Sequence, residues 1–309
     1  MRHPGPPKAR VRLSSEASRP SYLSFHPRGP TSKEMQADAG LADATATAGD
    51  ARAMSPGLVN CIMLVTWPHR CDMIQHAVLS FTQQDHRART LTVVNDGEPC
   101  RLSDAFFHRH GCRGQVLAAP RGASIGEKRN LGAAAVPEAE FIASFDDDDF
   151  SLPSRLRLHV ERIGACMWLS ASRKFIALHT LDNVVGFEFG RCFGAGMIRA
   201  EVARTLPWPD VSWREDQLMY EAAREHPSFG ATRMLEADDL TYVHRRHETN
   251  ASAAHRQNLW QGVMPVQLAG ADALSAVESL RAVLRADSTA LLESCEAVPA
   301  RVQAPQESS

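Results

Sequence analysis

Between Leu58 and Ile163 short apolar runs alternate with amphipathic ones, and this alternation constrains the fold more than any other feature of the chain. The run Val59–Val65 reads as a buried strand that stops at Thr66-Trp67-Pro68, because proline cannot donate to a ladder. Met73, Ile74, Ala77, Val78 and Phe81 recur at helical spacing, which predicts a helix over about 71–84. Thr90–Val94 is rich in β-branched residues and ends at the turn Asn95-Asp96-Gly97. A polar helix over 102–110, a strand over 115–117 and a helix carrying Lys128, Arg129 and Asn130 follow. The apolar run Phe141–Phe145 is a further strand, and Ser151-Leu152-Pro153 opens a helix to about Ile163, with proline in the first turn. Strand–helix alternation of this kind implies an α/β fold with a mostly parallel central sheet flanked by helices.

The second half is less regular. Strands are expected at 167–170, 174–178, 184–189 and 191–198. Trp208-Pro209 and Trp213 fall on a loop, and a helix starts at Glu215-Asp216 with Leu218, Met219 and Ala222 on its apolar face. Strands near 233–235 and 240–243 precede His244-Arg245-Arg246-His247, and a helix is expected over 271–296. Residues 1–56 are rich in Pro, Ser, Arg, Gly and Ala without periodicity and read as a disordered tail. The reading is therefore a single domain behind that tail, with segments 57–163, 164–255 and a C-terminal extension 256–309.

Several functions are excluded by bulk properties. Lys plus Arg total 34 against 36 Asp plus Glu, a net charge of -2 that makes no case for nucleic acid. No apolar stretch approaches the roughly 20 residues of a membrane span, and no signal-peptide h-region is seen, so a cytoplasmic location is expected. Seven cysteines without a C-x-x-C favour neither a zinc framework nor a disulfide scaffold.

The apolar strand 141–145 runs directly into Asp146-Asp147-Asp148-Asp149. Adjacent carboxylates repel and raise one another's pKa unless a cation compensates. Ligands of open α/β sheets bind at the carboxyl ends of strands. Mg2+ or Mn2+ sharing its oxygen ligands with a substrate phosphate is the natural occupant. A solvated acidic turn is the plainer alternative.

Taken in order, Thr66-Trp67-Pro68-His69-Arg70, Ser80–Gln84, Val93–Gly97, Lys128–Gly132 and Phe145–Asp149 with Pro153 resemble the nucleotide-binding half of a family 2 glycosyltransferase with the GT-A, Rossmann-like fold. Glu215-Asp216 resembles that family's Glu-Asp motif, and His247–Ser252 its His-containing segment. The resemblance implies an inverting enzyme using a nucleotide-sugar donor, UDP-linked by preference, with a divalent metal (Mn2+ or Mg2+) and an unidentified hydroxyl acceptor, whether carbohydrate, lipid-linked or other. It implies Asp148 on the metal with His247 (or His244), and Asp146 on the ribose or the metal. Thr66, Pro68, Arg70, Asn95, Asp96, Lys128, Arg129, Asn130, Asp146 and Asp147 would lie along the donor, Asp147 chiefly as a spacer. Either Asn95 or Asp96 would meet the base. Asp216 would be the catalytic base with Glu215 as the fallback, and Trp213 would stack on the acceptor.

Each assignment has a structural competitor, since acids in a first helical turn already suit the helix dipole. A calcium EF-hand loop fails for want of Gly at its sixth position, and Arg157 stands where its bidentate Glu should be. A prenyl-diphosphate motif fails because Phe150 stands four residues after Asp146. The remaining alternative is a GT-A-like protein that binds nucleotide-sugar or glycan without turnover.

Overall fold

The structure, a computed structural model, describes residues 57–66, 69, 71–99, 102, 104–178, 184–229, 234–237, 241–248, 250 and 264–265. By its contacts the chain divides into Met1–Ala53 and Met54–Ser309, and the described residues all lie in the second unit. The tail over 1–56, the helix over 271–296 and, apart from 264–265, the extension from 256 lie outside the described residues.

The strands are β1 (Val59–Val65), β2 (Arg89–Asn95), β3 (Arg113–Ala118), β4 (Phe141–Ser144), β5 (Phe150–Ser151), β6 (Trp168–Leu178), β7 (Val184–Arg199), β8 (Met234–Ala237), β9 (Tyr242–Arg246) and β10 (Met264–Pro265). The helices are α1 (Cys71–Thr82), α2 (Asp104–Arg109), α3 (Ile125–Ala134), α4 (Arg155–Ile163), α5 (Ala200–Thr205) and α6 (Glu215–Glu225). Among the described residues one mixed sheet runs β3-β2-β1-β4-β7-β6-β9-β5, with β10 on β7 and β8 on β6. The first four strands in that order are parallel to their neighbours. The sense reverses where β4 meets β7, with Ile142 opposite Ile198.

β1 shows why the sheet is sandwiched. Its alternate residues Val59, Cys61, Met63 and Val65 pack with Ile74, Val78 and Phe81 of α1, Phe107 of α2 and Leu156 of α4. Ile62, pointing the other way, packs with Val202 of α5 and Met219 and Ala223 of α6. Both faces are apolar because both are covered. Arg89 donates to the carbonyls of Phe81 (3.2 Å) and Thr82 (2.8 Å) at the end of α1, where a helix runs out of N–H partners of its own. Gln84 then ties α1 to α4, donating to the Leu152 carbonyl (2.8 Å) and accepting from the Leu156 N–H (3.1 Å).

Four expectations need correction. The helix after the Asp run starts at Arg155, because Phe150-Ser151 pairs with β9 and the Leu152 N–H donates to Thr241; Pro153 lies in the turn before it. The segments expected as four strands over 167–198 are two long ones, whose pairing slips at three places and so breaks the two-residue alternation. In α6 the buried apolar residues are Met219 and Ala223, while Leu218 is exposed. The helix expected to be polar, α2, buries Phe106 and Phe107.

Candidate active site

A cleft of about 540 Å3 opens at the carboxyl ends of β1 and β4, between the Asp turn, α3 and the start of α6. A larger cavity of about 680 Å3 lies at the amino ends of β1–β3, around Gly57, Arg87 and Arg113. Among its described lining residues the buried cation is Arg89, which is committed to capping α1. The cleft, by contrast, gathers the acids.

The Asp turn is fixed from below. Arg155, fully buried, donates to the Ser144 carbonyl (2.8 Å) and Ser151 Oγ (2.7 Å) on either side of the turn, and lies over the Phe145 and Tyr242 rings. Asp149 points into the protein, accepting from the Arg245 N–H (2.7 Å) and the Tyr242 hydroxyl. Burial and repulsion from Asp148 and Asp146 nonetheless push its pKa well above the carboxylate range. Asp148 Oδ2 lies 3.1 Å from His247 Nε2 and accepts from Asn250 Nδ2 at 3.0 Å. Asn250 in turn accepts from the His247 N–H at 2.7 Å, which fixes that pair on the turn after β9. Asp147 is buried, whereas Asp146 keeps 31% of its side chain exposed to the cleft. Burial pushes Asp146 up to about 6, with Arg129 opposing and Asp148, Asp216 and Glu215 adding to the rise.

Arg129 joins the two halves of the site. Its buried guanidinium meets Glu215 Oε1 (3.2 Å), Asp216 Oδ2 (3.2 Å) and Asp146 Oδ1 (3.8 Å), and donates to Ser144 Oγ (3.0 Å). Burial would lower its pKa, but the three carboxylates outweigh that and raise it. Burial also raises the Glu215 pKa, aided by Asp216 and opposed by Arg129. Both acids face Arg129, so the helix dipole alone does not account for their placement in α6. The turn delivering them passes through Arg214 at φ 62, a left-handed backbone that costs a non-glycine residue roughly 1–2 kcal/mol.

On the β2 side, Asp96 accepts from Thr66 Oγ1 (2.6 Å) and Lys128 Nζ (3.2 Å). Burial works against these contacts, yet they hold its pKa below the usual value. Asn95 folds its own turn, donating to the Glu98 carbonyl (2.7 Å) and accepting from the Gly97 N–H (3.1 Å).

Thr66, Lys128, Arg129, Asp146, Asp147, Asp148, Trp213, Glu215 and Asp216 thus share one cleft, with His244 and Asn250 at its edge. His247 sits behind Asp148, and Asp96 reaches the cleft through Lys128. Asn130 stands apart: its amide both donates to the Trp208 carbonyl and accepts from the Trp208 N–H, each at 2.8 Å. Pro68 and Arg70 lie outside the described residues. Trp208, Tyr242, Arg155 and Asn250 carry site contacts that sequence reading did not assign. For Asn250 a signal existed in its three-residue offset from His247; for Trp208 none did, since its partner lies across a loop.

Among the described residues no three His, Cys, Asp or Glu side chains converge closely enough to hold a metal by themselves. The donor chemistry still fits Mn2+ or Mg2+. Asp148 and His247 already meet, and such ions take one or two protein ligands and complete their shell with substrate phosphates and water. The upward shifts of Asp146 and Asp149, each driven in part by Asp148, mark a carboxylate excess that a cation would relieve.

Comparison with solved structures places the fold. The mannosyltransferase PcManGT from Pyrobaculum calidifontis, solved with GDP-Man and Mn2+, matches with a TM-score of 0.50 at 12% identity, covering 80% of this chain and 77% of that one. TarS 1-349 from S. aureus with UDP-GlcNAc matches at 0.46 and 16% identity, over 62% of this chain and 60% of that one. Glucosyl-3-phosphoglycerate synthase from Mycobacterium tuberculosis, with phosphoglyceric acid, matches at 0.45 and 14%, over 62% and 73%. Against a longer TarS chain this protein spans 37% of the length. No protein-family model and no curated protein sequence matches the chain. The fold is the GT-A, Rossmann-like α/β type expected from the sequence.

Proposed function

We propose that the protein is a metal-dependent, inverting glycosyltransferase of the family 2 type, moving a sugar from a nucleotide diphosphate, UDP by preference, to a hydroxyl acceptor. The observation that carries this reading is Arg129, which spans from Asp146 of the Asp turn to Glu215 and Asp216 of α6 within one cleft. A donor-side acid and an acceptor-side acid are thereby held at a fixed separation, as a single displacement requires. The mannosyltransferase solved with GDP-Man shares the fold, which supports a nucleotide-sugar donor.

Asp216 takes the proton of the acceptor hydroxyl as its oxygen attacks the anomeric carbon. The bond from that carbon to the diphosphate breaks, and its electron pair leaves on the nucleotide. Attack opposite the leaving group inverts the centre. Asp148 and His247 would hold the metal with Asp146 nearby, and the metal would supply charge neutralisation for the departing diphosphate. Asp96, seated by Thr66 and Lys128, is the better placed of the Asn95-Asp96 pair to meet the base, because Asn95 is spent on its own turn. Trp213, 43% exposed in the cleft, offers a face to a sugar.

A thermal-shift screen of UDP-, GDP- and dTDP-sugars with and without Mn2+ tests the donor site, since a ligand of the folded state raises its stability by mass action. A Mn2+-dependent rise with one nucleotide class, lost in Asp148→Asn, is expected. No shift with any donor sinks the donor assignment.

A further inference from the structure

We infer that Trp208 is a positioning residue for Asp216, an inference that rests on the transferase reading above. The indole Nε1 of Trp208 donates to Asp216 Oδ1 at 2.8 Å, and both groups are buried. Arg129 holds the other oxygen, Oδ2, at 3.2 Å. With a different donor on each oxygen, the plane of the carboxylate is fixed. Each oxygen keeps a further lone pair, so one remains for an acceptor hydroxyl. A base must present that lone pair within hydrogen-bond reach of the proton it removes.

The donor itself is held. Asn130 grips Trp208 through its backbone at both ends of one amide, 2.8 Å each way. The loop continues along α3, where the Ile125 N–H donates to Ser212 Oγ (3.3 Å) and the Gly126 N–H to the Val211 carbonyl (3.1 Å). Two neighbouring residues of α3 therefore reach the same carboxylate by different routes: Arg129 directly, Asn130 through Trp208. Tryptophan suits this place because its N–H only donates, so it pairs with a carboxylate oxygen and never competes for the proton of the acceptor.

The test separates alignment from folding. Trp208→Phe keeps an aromatic ring and removes the N–H. Its kcat for transfer should fall roughly 10- to 100-fold, the loss of one hydrogen bond to a charged group, while the donor KM stays within about twofold. Should Trp208→Phe fail to fold, Asn130→Asp serves: it keeps the acceptor for the Trp208 N–H, loses the donor to the carbonyl, and should give a smaller loss, again in kcat. Indole 15N spectra give a readout independent of turnover. The chain has five tryptophans, so the Trp208 signal is assigned by its absence in Trp208→Phe. That signal should move and lose protection from exchange in Asp216→Ala. Wild-type kcat in Trp208→Phe, a loss confined to KM, or an indole signal indifferent to Asp216→Ala each overturns the inference. If the wild-type protein transfers no sugar at all, the transferase reading fails and this role with it, while the indole spectra still report the contact.

Discussion

Replacing Arg129 with Met removes the single guanidinium around which three carboxylates are arranged, and the structure sets both the size and the pH dependence of the effect. Glu215 and Asp216 lie 3.2 Å from Arg129 and Asp146 lies 3.8 Å from it, all within a side-chain environment that leaves Arg129 6% exposed. Breaking a buried ion pair by removing one partner costs about 3–5 kcal/mol, because the other charge is left uncompensated. For a unit of this size that lowers the melting temperature by about 6–20 °C. The sign of the pH dependence follows from Glu215. Its folded pKa is already above the ordinary 4.5, so the folded state binds a proton more readily than the unfolded state, and stability falls as pH rises through that interval. Arg129 is what opposes the rise, so its removal widens the interval. The loss in Arg129→Met should therefore be small at about pH 5 and full at about pH 8, where the carboxylates must ionise without the Arg129 guanidinium. Urea unfolding of both proteins at the two pH values, in EDTA so that no metal substitutes for the guanidinium, measures it. Equal losses at both pH values, or a loss below about 1 kcal/mol at the higher one, would mean that Arg129 contributes packing and not charge compensation.

Two further substitutions probe the frame of the site. Tyr242→Phe strips Asp149 of its hydroxyl donor and should destabilise by about 1–3 kcal/mol; a urea midpoint equal to wild type would show that Asp149 does not depend on it. Gly126→Ala puts a methyl 1.8 Å from the Pro209 carbonyl oxygen, and the obstacle is backbone. The loop bearing Trp208 must part from α3, so a loss of about 1–3 kcal/mol with a disproportionate fall in transfer rate is expected, and a wild-type melting curve would refute the contact.

The parallel half of the sheet was legible because its signals are local. β1 and β2 are buried on both faces and read as strands from their own residues, and α1 shows its helical period. The second half obeyed contacts made over longer distances. β6 and β7 form two long strands whose slips in register erase the alternation from which strands are read. The start of α4 was displaced by pairing of Phe150 with Val243, more than ninety residues away. The residue types at Asp146–Asp149 led to the expectation of a cation, but not that Asp149 turns inward to Tyr242 and the Arg245 N–H while Asp148 turns to His247. Arg129 and Asn130, read from the sequence as donor contacts, face Asp146, Glu215, Asp216 and Trp208, which only the folded chain brings to α3.

In the proposed reaction the Asp turn serves the leaving group and Asp216 serves the acceptor. Asp216→Asn keeps the shape of the side chain and removes its basicity, so donor binding and turnover should separate. With Mn2+ and the donor found by thermal shift, calorimetry should give an affinity within about twofold of wild type, while transfer falls by roughly 100-fold or more. Turnover equal to wild type in Asp216→Asn would contradict the account and move the base elsewhere in the cleft.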